Sequence, residues 1–318
     1  MKNFFENVQN KKMISLALIV LLVGLGGGIL IYLLGGLFEP EDKTSPLLME
    51  EMTILCLGID KQVTMDERHP ETNSIGQADG IFLISVNPKL QEVNIVIIPR
   101  DTMAMVEKYN ANLEYIGSEK TQICLQYAYA DGMQRSSELM VKRVEELFPK
   151  TTIDGYISLN IDAVMQMNDA IGGVDVSVMD EYVASTMGVP LGETLHLEGE
   201  DAMLYLRLRD ISATGSAYTR LDRIKDYIGK AIPKGLEALK KNPTLVVDMF
   251  EVLGLNMVTD MNATDVAELL FAMKDMSAEN VHTYIIQGEI QVGDDGYEEF
   301  YPQDTHMDML REKMKDQK

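Results

Sequence analysis

Residues 79–101 read DGIFLISVNPKLQEVNIVIIPRD, two apolar runs separated by a polar turn that contains Pro88 and Lys89. Runs of this length bounded by turn residues predict two adjacent buried strands. A third run, MTILCLGID at 52–60, precedes them and ends on a carboxylate. Asp60, Asp79, Arg100 and Asp101 thus gather where strands begin or end, the place where open α/β sheets build binding sites. Ordinary solvation of strand ends is the plainer alternative. Downstream, apolar periodicity predicts two helices across 120–148, a strand at 154–160 and a helix at 162–171 opened by an Asp162 cap. GGVDVSV at 172–178 reads as a turn into a further strand. The longest soluble helical pattern runs from 216 to 241, after Gly215, followed by helices at 244–256 and 264–275, a strand at HTYIIQGEI (282–290) and a closing helix at 304–316. Strands alternating with helices predict an α/β fold, a three-layer α/β/α sandwich with a mixed central sheet.

Before this domain, residues 13–38 carry no charge over twenty-six positions, where about twenty suffice to cross a bilayer as a helix. Lys2, Lys11 and Lys12 precede the stretch and Glu39, Glu41 and Asp42 follow it. The basic side marks the cytoplasm. The expected layout is a cytoplasmic tail at 1–12, a transmembrane helix at 13–38, a stalk at 39–50 and an extracellular domain at 51–318. That makes a single-pass protein of the cell membrane. A cleaved signal peptide is the competing reading, but the apolar stretch is longer than such segments usually are. The formal charge of -22 excludes a nucleic-acid partner, because phosphate backbones are bound by basic surfaces. Cys56 and Cys124 match no metal spacing and are expected as buried free thiols, a disulfide being the alternative.

Against that acidity, four of the nine arginines fall within LYLRLRDISATGSAYTRLDRIKDY at 204–227. No Lys or Arg occurs between 151 and 206. Arg207 and Arg209 point the same way if their segment is extended, and Arg220 and Arg223 share a face if theirs is helical. Guanidinium forks match phosphate oxygens, so the cluster is a candidate pyrophosphate clamp, with helix donors adding to it. Salt bridges to Asp210, Asp222 and Asp226 are the bland alternative. Asp60, Asp79 and Asp101 are hard oxygen donors of the kind Mg²⁺ accepts alongside phosphates. Together these groups point to phosphoryl transfer. His196 and His282 lie in contexts that carry no such signal.

Taken in order, the segments resemble the LytR-CpsA-Psr family across about residues 50–300. The resemblance rests on MTILCLGID, on QADGIFLISVNPKLQEVNIVIIPRDT, on QYAYADG, on IDAVMQMNDAIGGVDVSV and on LHLEGEDAMLYLRLRD. It implies a membrane-anchored phosphotransferase that moves a phosphoglycan from a polyprenyl-pyrophosphate carrier to a peptidoglycan hydroxyl, the polyprenyl chain lying in an apolar pocket. By position it implies Asp60 and Asp79 as Mg²⁺ ligands, Arg207, Arg209 and Arg220 at the pyrophosphate, and Arg100 with Asp101 as the catalytic Ile-Pro-Arg-Asp pair. Arg223 joins the clamp by its place in the cluster. The chain departs from the family pattern at Gln77, where an Arg is usual, at Gln122 for a Lys, and at Ile224 for a Gln. Gly80 replaces a hydroxyl residue. These departures leave a second reading open, a non-catalytic polyprenyl-phosphate-binding relative, and a third, a ligand-free scaffold.

Overall fold

The structure, a computed structural model, describes residues 51–315. The apolar stretch at 13–38 and the stalk at 39–50 lie outside the described residues. Among the described residues no helix is long and apolar enough to cross a membrane. The chain runs β1 (Met52–Ile59), β2 (Ala78–Asn87), β3 (Glu92–Ile97), β4 (Met103–Tyr109), β5 (Tyr115–Gln122), α1 (Leu125–Ala128), α2 (Gln134–Leu147), β6 (Gly155–Leu159), α3 (Ile161–Ala170), β7 (Val174–Ser177), α4 (Glu181–Met187) and β8 (Thr194–Leu197). It continues with α5 (Gly199–Arg207), α6 (Ser216–Lys241), α7 (Leu245–Leu253), β9 (Met257–Thr259), α8 (Ala263–Ala272), β10 (Val281–Ile285), β11 (Gly288–Val292), β12 (Glu298–Pro302) and α9 (Asp304–Lys313).

Six strands form the central sheet in the order β10-β3-β2-β1-β6-β9. The β2–β3 hairpin expected from residues 79–101 is antiparallel, as is β1 with β2, while β1 runs parallel to β6 and β3 to β10. The sheet is therefore mixed. Side chains alternate across it, as a period of two requires. Leu55, Leu57, Ile59, Ile81 and Leu83 pack with Tyr127 of α1, Met140 and Val144 of α2, and Met307 and Leu310 of α9. Ile54, Val86, Val93 and Ile95 face the other way, onto Leu236 of α6 and Leu269 of α8. Helices thus cover both faces, giving the three layers expected. Each fully buried aliphatic side chain contributes about 1.5–3 kcal/mol, so the sheet is held from both sides.

Three expectations change. The helical reading of 120–148 overran a strand: β5 reaches Gln122 and pairs with β4, and α1 is a single turn. Both strands are half-exposed along their length, so they lack the apolar alternation that would have marked them. Helix α3 starts two residues earlier than an Asp162 cap allows. The cap is Asn160, whose side chain accepts from the Ala163 N–H at 2.9 Å. Finally, 282–290 is two strands in separate sheets. At the start of the second, a Cβ on Gly288 would meet the Tyr301 carbonyl at 2.2 Å, so only glycine allows β11 to pair there. Helix α6 spans 216–241 as expected and follows Gly215, at φ +80°.

Candidate functional site

Glycines in the middle of the sheet open the site. Gly58 of β1 pairs with Gly80 of β2, and the register shifts immediately beyond. Neither residue fills the space above the sheet; a Cβ on Gly80 would come within 2.9 Å of the Phe82 ring. A cavity of about 320 Å³ occupies that space. Cys56, Phe82, Ile84 and Ile95 form its floor on the sheet, and Val164 of α3, Met203 and Leu206 of α5, and Ile224, Ile228 and Ile232 of α6 form its walls. These residues of α6 recur at the four-residue spacing of one helix face. At one end the lining turns polar, with Asp60, Asp79, Arg207 and Arg220. The structure therefore brings both candidate metal carboxylates and two of the four clustered arginines to the mouth of one apolar cavity.

The arginines divide by task. Arg207 ends α5, and its Nη2 donates to Asp60 Oδ1 at 2.9 Å. Leu208 then turns extended, at φ −53° and ψ 132°, so Arg207 and Arg209 are not two residues of one strand. Arg207 lines the cavity while Arg209 lines a separate polar cleft. Arg220 is buried, donates to the Asp79 carbonyl at 3.3 Å and has an Nε without a partner. Burial lowers its pKa, the signature of a guanidinium short of compensating charge. Arg223 is different. Its Nη1 donates to Asp180, its Nη2 to the Leu208 carbonyl, and its guanidinium lies 5.4 Å from the centroid of the Tyr205 ring. It does not line the cavity; both its Nη groups are paired with protein, while its Nε, like that of Arg220, has no partner, and it lines a smaller pocket together with Arg209 and Arg220. Local pairing with Asp210 or Asp222 is absent among the described residues; the partners are Asp60 and Asp180, far away in sequence.

The polar cleft, about 550 Å³, is lined in part by Gln77, Arg100, Asp101, Gln122, Arg209, Tyr297 and Glu298. Arg100 stands between cleft and cavity. It donates to Asp79 Oδ1 and, at 2.9 Å, to Gln77 Oε1, and its Nε lies 3.3 Å from Asp101 Oδ1. Burial pulls the Arg100 pKa down, but the facing Cys124, Asp79 and Asp101 outweigh it and raise it overall. Burial raises the Asp101 carboxyl above the usual range, with Arg100 opposing and Glu298 adding. Cys124 and Cys56 are free thiols, each pushed up to about 12 by burial.

The departures at Gln77, Gln122 and Ile224 have places in this architecture, as Gly80 has in opening the cavity. Gln77 accepts from Arg100, which an arginine could not do. Gln122 Nε2 donates to the Glu298 carbonyl at 3.2 Å, tying β5 to β12. Ile224 belongs to the apolar wall. Two groups escaped the sequence reading. Asp180 caps α4 through Val183 N–H at 2.7 Å while pairing with Arg223. Glu298 Oε1 accepts from Gly215 N–H at 2.5 Å, at the start of α6. In so acidic a chain, neither carboxylate stands out. Asp60 and Asp79 each commit only Oδ1 among the described residues. Two carboxylates with a free oxygen apiece suit Mg²⁺, which takes one or two from protein and completes its shell with phosphate and water. No group of three or more His, Cys, Asp or Glu able to hold a metal occurs among the described residues.

The LytR_cpsA_psr family model matches residues 39–316. A relative from Oceanobacillus iheyensis, "Polyisoprenyl-teichoic acid--peptidoglycan teichoic acid transferase TagU", is 27% identical over 239 residues, covering 75% of this chain and 68% of its own. The crystal structure of Bacillus subtilis TagV superposes with a TM-score of 0.64 at 22% identity, over 84% of this chain and 96% of that one. A structure of TagT bound to LIIa-WTA gives 0.62 at 20% identity, over 86% and 93%. At these identities the structural likeness bears on the fold.

Proposed function

The chain belongs to the LytR_cpsA_psr family, and from that premise we propose that it is a cell-wall glycopolymer transferase whose donor is a polyprenyl-pyrophosphate-linked phosphoglycan and whose acceptor is a peptidoglycan hydroxyl. The observation that carries this reading is an apolar cavity whose mouth bears Arg207, Arg220, Asp60 and Asp79. Such a site fits an amphiphile with a hydrocarbon tail and an anionic head. The tail lies against Phe82, Ile84, Ile228 and Ile232. Arg207 and Arg220 meet the lipid-side phosphate, and Arg100 and Arg209 meet the glycan-side phosphate from the cleft. Asp60 and Asp79 would hold Mg²⁺, which when bound supplies charge neutralisation at the phosphates.

In the reaction the acceptor oxygen bonds to the glycan-side phosphorus as the bond from that phosphorus to the bridging oxygen breaks. Polyprenyl phosphate leaves with the bridging oxygen. Asp101 takes the hydroxyl proton; its raised proton affinity suits a general base better than an ordinary carboxylate would be. Arg100, fixed by Asp79 and Gln77, is aimed at charge that develops on the phosphoryl oxygens. Residues 13–38 anchor the chain in the cell membrane, with the amino terminus cytoplasmic and the domain outside. Gln77 and Gln122 favour one other reading, a polyprenyl-phosphate-binding relative without turnover, because two cations expected beside the phosphates are neutral here.

The test supplies the purified full-length chain in detergent with a polyprenyl-pyrophosphate glycan and peptidoglycan, with and without Mg²⁺. Metal-dependent release of polyprenyl phosphate, lost in Arg209→Ala, is expected. Retention of lipid without release would select the binding module, and neither retention nor release would sink both readings.

A further inference from the structure

We propose that the end of the domain where β1 begins lies on the surface of a phospholipid bilayer, with Leu90 and Phe271 entering the acyl region; this rests on the reading of residues 13–38 as a membrane anchor. At that end Met52 of β1 pairs with Val86 of β2, and Asn87 with Glu92 of β3. The turn between β2 and β3 carries Leu90, which is 55% exposed. Helix α8 ends beside this turn, where Gln91 Nε2 donates to the Ala272 carbonyl at 2.9 Å. Phe271, the residue before Ala272, is 50% exposed. One hydrogen bond thus joins the chain neighbours of both apolar side chains, across 181 residues of sequence, and keeps the two at the same end of the sheet.

Lysines flank the pair. Lys89 precedes Leu90, Lys274 Nζ lies 4.6 Å from the centroid of the Phe271 ring, and Lys240, in the last turn of α6, shares Asp275 with Lys274. Lysine stems lie along apolar surface while their ammonium groups stay among headgroups and water. The patch is too small for a protein partner. Two half-exposed side chains offer on the order of 200 Å², against about 800 Å² on each side of a stable interface. A tethered domain needs less. Residues 39–50 join the anchor to β1 at this same end, and a segment of that length reaches at most about 40 Å, so a weak contact meets the bilayer at high effective concentration. Strand β1 spans eight residues, about 27 Å. The cavity mouth at its other end is therefore held that far from the bilayer and faces away from it.

The chain contains no tryptophan, so a single introduced indole reports one place. The experiment reconstitutes the full chain, as Leu90→Trp, Phe271→Trp or Leu255→Trp, in phosphatidylcholine vesicles with and without bromine on the acyl chains, which quenches indole fluorescence at short range. Leu255 is the control: it is 66% exposed at the opposite end of the sheet, next to Asn256, whose carbonyl accepts from Asn160 N–H beyond β6. Bromine should quench Leu90→Trp and Phe271→Trp at least twofold and leave Leu255→Trp unchanged. Adding Leu90→Glu should cut the quenching of Phe271→Trp at least by half. No quenching at 90 or 271, equal quenching at 255, or indifference to Leu90→Glu would overturn the contact. So would an indole blue shift that grows with protein concentration in detergent while bromine has no effect, which would give the patch to a second copy of the chain. Extraction of the chain from the vesicles by alkaline carbonate would refute the anchor alone, and the quenching before extraction still decides the contact.

Discussion

Replacing Arg223 with alanine should unfold the protein more easily without removing a ligand contact. The Arg223 side chain is 4% exposed and its partner Asp180 is 29% exposed. Breaking a fully buried pair costs about 3–5 kcal/mol, whereas an exposed pair is worth about 0–1 kcal/mol. Asp180 lies between these limits, and the Leu208 carbonyl also loses a charged donor, so about 3 kcal/mol is expected for Arg223→Ala. With a urea slope of about 3 kcal/mol per molar, the midpoint should fall by about 1 M. The assay is urea unfolding of the compact unit Pro46–Lys318, followed by tyrosine fluorescence. Asp180→Asn keeps an N-cap for α4 while removing the charge, so the double-mutant cycle isolates the pair and should give at least about 1.5 kcal/mol of coupling. A midpoint shift below about 0.2 M, together with a loss of polyprenyl-phosphate affinity as large as that of Arg220→Ala, would refute the reasoning and return Arg223 to the clamp.

Two further outcomes are expected. Because burial raises the Asp101 pKa, the protonated form is favoured in the fold; its stabilising contribution is complete below the unfolded carboxylate pKa near 4 and is lost as pH rises through the higher folded value. The stability of Asp101→Asn relative to the unaltered chain should therefore grow over that window and then level off, and a difference that stays flat in pH-dependent urea titrations would contradict the shift. Cys56 and Cys124, with thiols near 12, should resist a disulfide-exchange reagent at pH 8 in the folded protein and both react in urea. Rapid native labelling of Cys124 would contradict its burial, and rapid labelling of Cys56, which is half-buried on the cavity floor, would contradict its raised pKa.

The central sheet was legible because β1, β2 and β3 are buried strands, and burial leaves apolar runs in a sequence. Helix α6 was legible for the same reason, since Ile224, Ile228 and Ile232 repeat on one face beyond Gly215. The β4–β5 hairpin was not, because it is half-exposed and binds mainly to itself through its backbone ladder, which any residue can supply. Site residues follow a similar division. Asp60 and Asp79 were visible as carboxylates at strand ends. What each arginine does depends on partners set by tertiary packing: Asp60 lies 147 residues from Arg207, and Asp180 lies 43 from Arg223. A charge cluster in sequence therefore pointed to the cavity mouth without distinguishing the arginines that line it, Arg207 and Arg220, from Arg223, which pairs with Asp180.

Arg100 has five N–H donors at most, and its three nitrogens already face Asp79, Gln77 and Asp101. A guest entering from either side draws on the same finite set. On the proposed function the two sites are linked through Arg100: whatever factor a guest in the cleft applies to affinity in the cavity, the guest in the cavity must apply in return. One guanidinium thus makes ordered binding a matter of reciprocity, measurable from either compartment with the same answer.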